Sequence, residues 1–209
     1  MKPLIIINFK TYKQGKAAIK LAREIEKVDK SIIVGVQDSD IYEIKRAIKL
    51  TVFSQHVDYF KPGRHTGFII PEAVKKDGAK GTFLNHSEHR LSFAVLRKTM
   101  DRCKKVGLQT AVFAKDLNEA KKIEKLKPSY LIIEPPELVA GKISVSEAKP
   151  ELIKKIAKKL RTRFLIGAGI HSKEDIKIAM KLGARGVVLS SAITKARNPG
   201  KNLRKLVKG

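Results

Sequence analysis

Residues 4–28 read LIIINFKTYKQGKAAIKLAREIEKV, and two periodicities meet within them. The run LIIIN at 4–8 is β-branched and apolar, which predicts a strand. From 16 to 28 the apolar residues fall at Ala18, Leu21, Ala22, Ile25 and Val28, the spacing of a helix with one buried stripe. The same pairing recurs down the chain. Strands are predicted at 32–36, 52–55, 82–85, 109–113, 130–134, 164–167 and 186–190, which makes eight with the first. Helices are predicted near 41–49, 71–77, 91–105, 116–126, 149–160, 172–182 and 199–207. Asp116 with Glu119, and Ser172 with Asp175, have the spacing of an N-cap followed by an acidic third residue. Gly78, Gly107 and Gly183 stand where helices should end.

Strands that are apolar at nearly every position are buried on both faces, and strict alternation with helices makes them parallel. The chain is therefore read as α/β. A closed (β/α)₈ barrel accommodates eight such units without leaving an edge, at about 26 residues per unit, the short end of the usual size. A doubly wound open sheet is the main alternative. With no linker and no low-complexity stretch, a single domain over 1–209 is expected.

The 209 residues are 43% hydrophobic, enough for a full core. Cys103 is the one cysteine, so no intramolecular disulfide forms and a reducing cytosol suits the chain. The N-terminal apolar run is too short for a signal-peptide core and no stretch reaches transmembrane length, so a cytoplasmic protein without membrane contact is expected. The formal charge of +25 raises a nucleic-acid-binding basic protein as a competing reading. Against it, there is no Trp, aromatics are 6%, and Lys is scattered over nearly every helix. Nucleic acid is expected to bind only non-specifically.

In a parallel barrel the strand C-termini converge on one face. Two groups of residues fall there. Asn8 and Lys10 after strand one, His86, Ser87 and Glu88 after strand four, and Glu134 after strand six combine a cation, an imidazole and a carboxylate. Glu134 follows Leu131-Ile132-Ile133 and precedes two prolines, which places a carboxylate at the lip of an apolar wall, where desolvation raises its pKa toward that of a general base. The second group, Gly-Ala-Gly at 167–169 and Ser190-Ser191, suits a phosphate cradle of backbone N–H groups. His56, His65 and His171 lack metal-ligand spacing and are read as structural or solvent-facing, with no metal site and no cofactor expected.

The motifs NFK at 8–10, HTGFIIPEA at 65–73, NHSEHR at 85–90, EPPEL at 134–138 and GAG at 167–169 together resemble the triosephosphate isomerase family, in its shorter archaeal form, in order over essentially the whole chain. The resemblance implies the TIM barrel and interconversion of dihydroxyacetone phosphate and D-glyceraldehyde 3-phosphate through an enediolate, in glycolysis and gluconeogenesis. It implies Glu134 as base and His86 as neutral electrophile, its cation disfavoured by the N-terminus of the helix near Leu91. It further implies Lys10 and Asn8 at the substrate, Glu88 orienting Lys10, and Ser87 in support. Val139, Ala140, Gly169, Ser190 and Ser191 would hold the phosphate, and a lid over 135–142 would close on it. That lid departs from the family, with Val139-Ala140-Gly141-Lys142 where relatives carry Ile-Gly-Thr-Gly. The Thr66-Gly67 pair resembles the loop tip that enters a neighbouring subunit, implying a homo-oligomer, with a tetramer favoured over a dimer. Another sugar-phosphate isomerase on the same barrel is the nearest alternative.

Overall fold

Strands without a polar face need cover on both sides, and the computed structural model, which describes residues 2–135 and 149–207, supplies it with a closed barrel. The strands are β1 (Leu4–Asn8), β2 (Ile33–Val36), β3 (Thr51–Ser54), β4 (Gly81–Leu84), β5 (Gln109–Ala114), β6 (Tyr130–Ile133), β7 (Phe164–Ile166) and β8 (Gly186–Leu189). They pair in sequence order, all parallel, and β1 closes on β8 from Leu4↔Gly186 to Ile7↔Leu189. That seam excludes the open doubly wound sheet.

Outside lie α1 (Gly15–Val28), α2 (Ile41–Ala47), α3 (Pro71–Lys76), α4 (Phe93–Val106), α5 (Leu117–Glu124), α6 (Pro150–Lys159), α7 (Lys173–Lys181), α8 (Ser191–Thr194) and α9 (Pro199–Val207). The start and stop signals act as their chemistry requires. Asp116 accepts from the Glu119 N–H, Ser172 and Asp175 form a reciprocal capping box, and Gly107 closes α4 in the left-handed conformation. The stripe Ala18, Leu21, Ala22, Ile25 and Val28 of α1 is buried against the barrel wall. At roughly 1.5–3 kcal/mol per fully buried Leu or Ile, this layer is the main stabilising contact of each helix.

Inside the barrel a separate cluster comprises Ile6, Ile33, Phe53, Phe83, Ala111, Phe113, Ile132, Leu165 and Val188. Its width is set by two glycines. A Cβ at Gly35 would lie 2.0 Å from the Phe83 ring and one at Gly81 would lie 2.4 Å from the Phe53 ring, so both phenylalanines occupy space that any other residue would close. Because strand side chains alternate, the residues two positions beyond Ile6, Ile132 and Val188 share the inward face. Those residues are Asn8, Glu134 and Ser190. The buried core thus aims the polar strand ends at one mouth.

Candidate active site

The NHSEHR stretch leaves β4 through Asn85, which takes a left-handed backbone (φ 61°). Its amide ties the turn down: Asn85 Nδ2 donates to Phe113 O (2.9 Å) and to Glu119 Oε1 (3.1 Å), and Asn85 Oδ1 accepts from the Leu91 N–H (3.0 Å). The next residue, His86, is thereby set on top of the interior core, its ring edge-on to Phe113 at 4.7 Å. The Glu88 N–H donates to His86 Nδ1 (3.1 Å), which assigns the ring proton of the neutral imidazole to Nε2. Burial pushes the His86 pKa down to about 4, with Lys10 and Arg90 adding to the effect and Glu88 opposing it. The neutral form is therefore held by burial and by a turn N–H. The following helix, α4, begins at Phe93, and its cap, Ser92, accepts from the Val95 N–H.

His86 Nε2 lies 3.2 Å from Glu134 Oε2, which also accepts from the Ser87 hydroxyl at 3.2 Å. Glu134 is 6% exposed, and burial raises its pKa to about 7 against the lowering influence of Lys10 and the Ser87 hydrogen bond. Gly167 makes room for it. A Cβ there would stand 2.7 Å from Glu134 Oε1, so the first glycine of the Gly-Ala-Gly stretch serves the carboxylate, a use distinct from the anion cradle expected of that stretch.

Lys10 also has a left-handed backbone (φ 47°), held by its own N–H donating to Asn8 Oδ1 (2.9 Å). Gln55 fixes this turn from β3's end, its amide donating to Lys10 O (2.9 Å) and Asn8 Oδ1 (3.2 Å). The Lys10 ammonium is 2.6 Å from Glu88 Oε1. Ala168, at φ 75°, is a third non-glycine in the left-handed region beside the same pocket. Three such residues around one mouth mark a backbone held against its preference by its surroundings, as functional sites often are.

Across the pocket, β8 ends at Leu189, Ser190 is the N-cap and α8 starts at Ser191. The first N–H groups of a helix lack intrahelical acceptors and point outward with the positive end of the dipole. Ser190 Oγ is buried and, among the described residues, has no hydrogen-bond partner. Gly169 (φ 66°), Ser190 and Ser191 line the same pocket as Asn8, Lys10, His86 and Glu134.

The structure therefore brings Asn8, Lys10, His86, Glu134, Gly169, Ser190 and Ser191 to one pocket, with Ser87 and Glu88 behind them. Val139, Ala140 and the lid span 136–142 lie outside the described residues. Gln55 and Tyr12 were missed by sequence reasoning; Tyr12 lines the pocket, as does His171, which was read as structural or solvent-facing and is exposed there. Gln55 ends an apolar strand in a polar side chain, the same signal that singled out Asn8 and Glu134. His56 stacks on His89 at 4.2 Å and His65 on Phe60 at 4.3 Å, and among the described residues no group of three or more His, Cys, Asp and Glu is placed to hold a metal. Cys103 is buried and its pKa is pushed up to about 12, which makes it an unreactive thiol.

A buried carboxylate with its pKa raised to about 7, beside a neutral imidazole donor at the mouth of a (β/α)₈ barrel, is the equipment of an isomerase-type enzyme that moves protons. Comparison with known proteins makes this particular. The family model for triosephosphate isomerase matches residues 3–208. The triosephosphate isomerase of Methanocaldococcus jannaschii is 39% identical, covering 98% of this chain and 99% of that protein. That of Saccharolobus solfataricus is 40% identical, covering 95% and 92%, and that of Methanobacterium bryantii is 38% identical, covering 98% and 96%. The chain belongs to the triosephosphate isomerase family, in its archaeal form.

Proposed function

We propose that the chain interconverts dihydroxyacetone phosphate and D-glyceraldehyde 3-phosphate, with Glu134 carrying the proton between the two carbons. The observation that carries this reading is the juxtaposition of Glu134 Oε2 and His86 Nε2 at 3.2 Å, one with its pKa raised to about 7 and the other with its pKa lowered to about 4. A base that titrates near 7 is ionised often enough to accept a proton and basic enough to drive its transfer. The family is itself the reference case for pairing a glutamate base with a neutral imidazole.

In this mechanism the substrate carbonyl oxygen takes the place that Glu134 Oε2 now holds against the Nε2–H of His86. Glu134 removes a proton from the adjoining carbon while Nε2–H donates to the oxygen on which charge builds up; the carbon-bound proton is returned to the neighbouring carbon as the hydroxyl proton passes from one oxygen to the other by way of His86 Nε2. Lys10 offsets the negative charge of phosphate and enediolate, and Glu88, 2.6 Å from it, sets its position. Asn8 and Gln55 hold the strained turn that carries Lys10. The phosphate is assigned to Gly169, Ser190 and Ser191, where a buried hydroxyl has no partner of its own, with Val139 and Ala140 closing from the lid. No metal or organic cofactor enters these steps.

Family membership brings self-association, and the finer assembly proposed is a homotetramer built on dimers in which the Thr66-Gly67 tip enters the neighbouring subunit. That tip sits beside an exposed aromatic group: Phe60 packs on Tyr59, His65 and Phe68, and Phe68 is 51% exposed. One barrel domain over 1–209 and a cytoplasmic place in glycolysis and gluconeogenesis complete the reading. A coupled assay of isomerisation in both directions with purified protein tests the activity, and sedimentation tests the assembly. Absent turnover, or a monomer at working concentration, would overturn the respective part.

A further inference from the structure

The opposite end of the barrel, where the strands begin, contains a second cavity of about 390 Å³. Leu4, Tyr130 and Leu165 give it apolar walls, and Lys2, Arg163 and Arg185 line it with positive charge. Tyr130 also packs on Phe53 at 6.0 Å, so the barrel interior is closed behind this cavity and it is separate from the active site. The backbone fixes the cations as neighbours: Leu4 N donates to Arg185 O (3.1 Å) and Arg185 N to Phe164 O (2.8 Å), bringing the segments ahead of β1, β7 and β8 side by side. Lys2 is neutralised in part by Asp29 at 2.8 Å. Among the described residues no carboxylate lies within ion-pair distance of Arg163 or Arg185.

We propose that this basal cavity binds a compact polyanion of the diphosphate class. Two guanidinium groups that line one concavity, with no carboxylate in ion-pair reach among the described residues, suit a ligand with two or more negative charges, and each fork can take two phosphate oxygens at once. The volume corresponds to roughly 13 waters at about 30 Å³ each, which admits a diphosphate with part of its hydration shell. A polymeric nucleic acid would call for a continuous basic stripe with stacking rings, and this open concavity offers one half-buried tyrosine.

The test titrates inorganic pyrophosphate into the wild-type protein at about 0.15 M salt, by calorimetry and by backbone amide NMR. The expected result is saturable binding with shifts at Tyr130, Arg163, Phe164 and Arg185. Arg163→Ser with Arg185→Ser should weaken it by about tenfold or more, while isomerase turnover stays at the wild-type level and so reports an intact fold. A control of equal charge, Lys155→Ser with Lys158→Ser on the exposed side of α6, should leave binding within about twofold. Three results would overturn the proposal: no saturation, shifts confined to Gly169, Ser190 and Ser191, or equal weakening in the control, which would mean that diffuse charge alone attracts the anion.

Discussion

Glu134→Gln should make the protein more stable, and increasingly so as pH rises. An unfolded Glu134 titrates near 4.5, whereas the folded residue titrates near 7 because burial disfavours its charge. Between those values the native state binds more protons at this site than the unfolded state does, so stability falls as pH rises through the window. The contribution is fully present below 4.5 and lost above 7. Moving the pKa from 4.5 to about 7 corresponds to roughly 3 kcal/mol, the cost at alkaline pH of keeping a buried carboxylate ready to act. Glutamine keeps the shape and accepts the His86 Nε2–H but never charges. His86 works in the opposite direction: its depressed pKa gives stability that is complete above 6.5 and lost as pH falls through about 4, a contribution common to both proteins. Urea denaturation at about pH 5 and about pH 8, at one protomer concentration, measures the difference. The advantage of Glu134→Gln should grow from about 1 kcal/mol at pH 5 to roughly 3 kcal/mol at pH 8; an equal advantage at both pH values would refute the desolvation reasoning.

Glu134→Asp withdraws the carboxylate by about 1.5 Å, beyond the near-attack distance of about 3–3.5 Å, so kcat should fall by about 10²-fold or more with an intact circular-dichroism spectrum. His86→Gln should lower kcat by about 10²-fold while moving KM little, because polarisation of the carbonyl grows in the transition state; steady-state kinetics with an unchanged kcat and a raised KM would contradict this. Ser190→Ala should raise KM by up to about tenfold, since the phosphate is held alike in ground and transition states, yet leave the urea midpoint unchanged or slightly higher because the buried hydroxyl has no partner to lose.

Most of the fold was legible because it rests on repetition. Apolar runs such as Leu4–Asn8 and helix stripes such as that of α1 follow the two periods of buried strands and amphipathic helices, and their number suited a closed barrel, with the open doubly wound sheet excluded only by the β1–β8 seam. Position at strand C-terminal ends then carried Asn8, Glu134 and Ser190 to the mouth without knowledge of any contact. What stayed hidden was shorter than a period or depended on approach between distant segments. The four-residue α8 is too brief to show periodicity, although its first residue, Ser191, lines the pocket. The place of Gly167 beneath Glu134 and the bond from Glu88 N–H to His86 Nδ1 belong to tertiary geometry. Lysine and alanine at positive φ leave no mark in a sequence, so the strained turns at Lys10 and Ala168 were unreadable.

The central claim is that Glu134 itself carries the proton between the two carbons, and hydrogen exchange with solvent tests it most directly. With purified protein and dihydroxyacetone phosphate in D₂O, proton NMR should show glyceraldehyde 3-phosphate forming and deuterium entering at the carbon next to the carbonyl, because a carboxyl that has accepted a proton trades it with solvent before returning it. Glu134→Gln should reduce both signals to the rate without enzyme. Deuterium incorporation and isomerisation at the wild-type rate in Glu134→Gln would contradict the assignment.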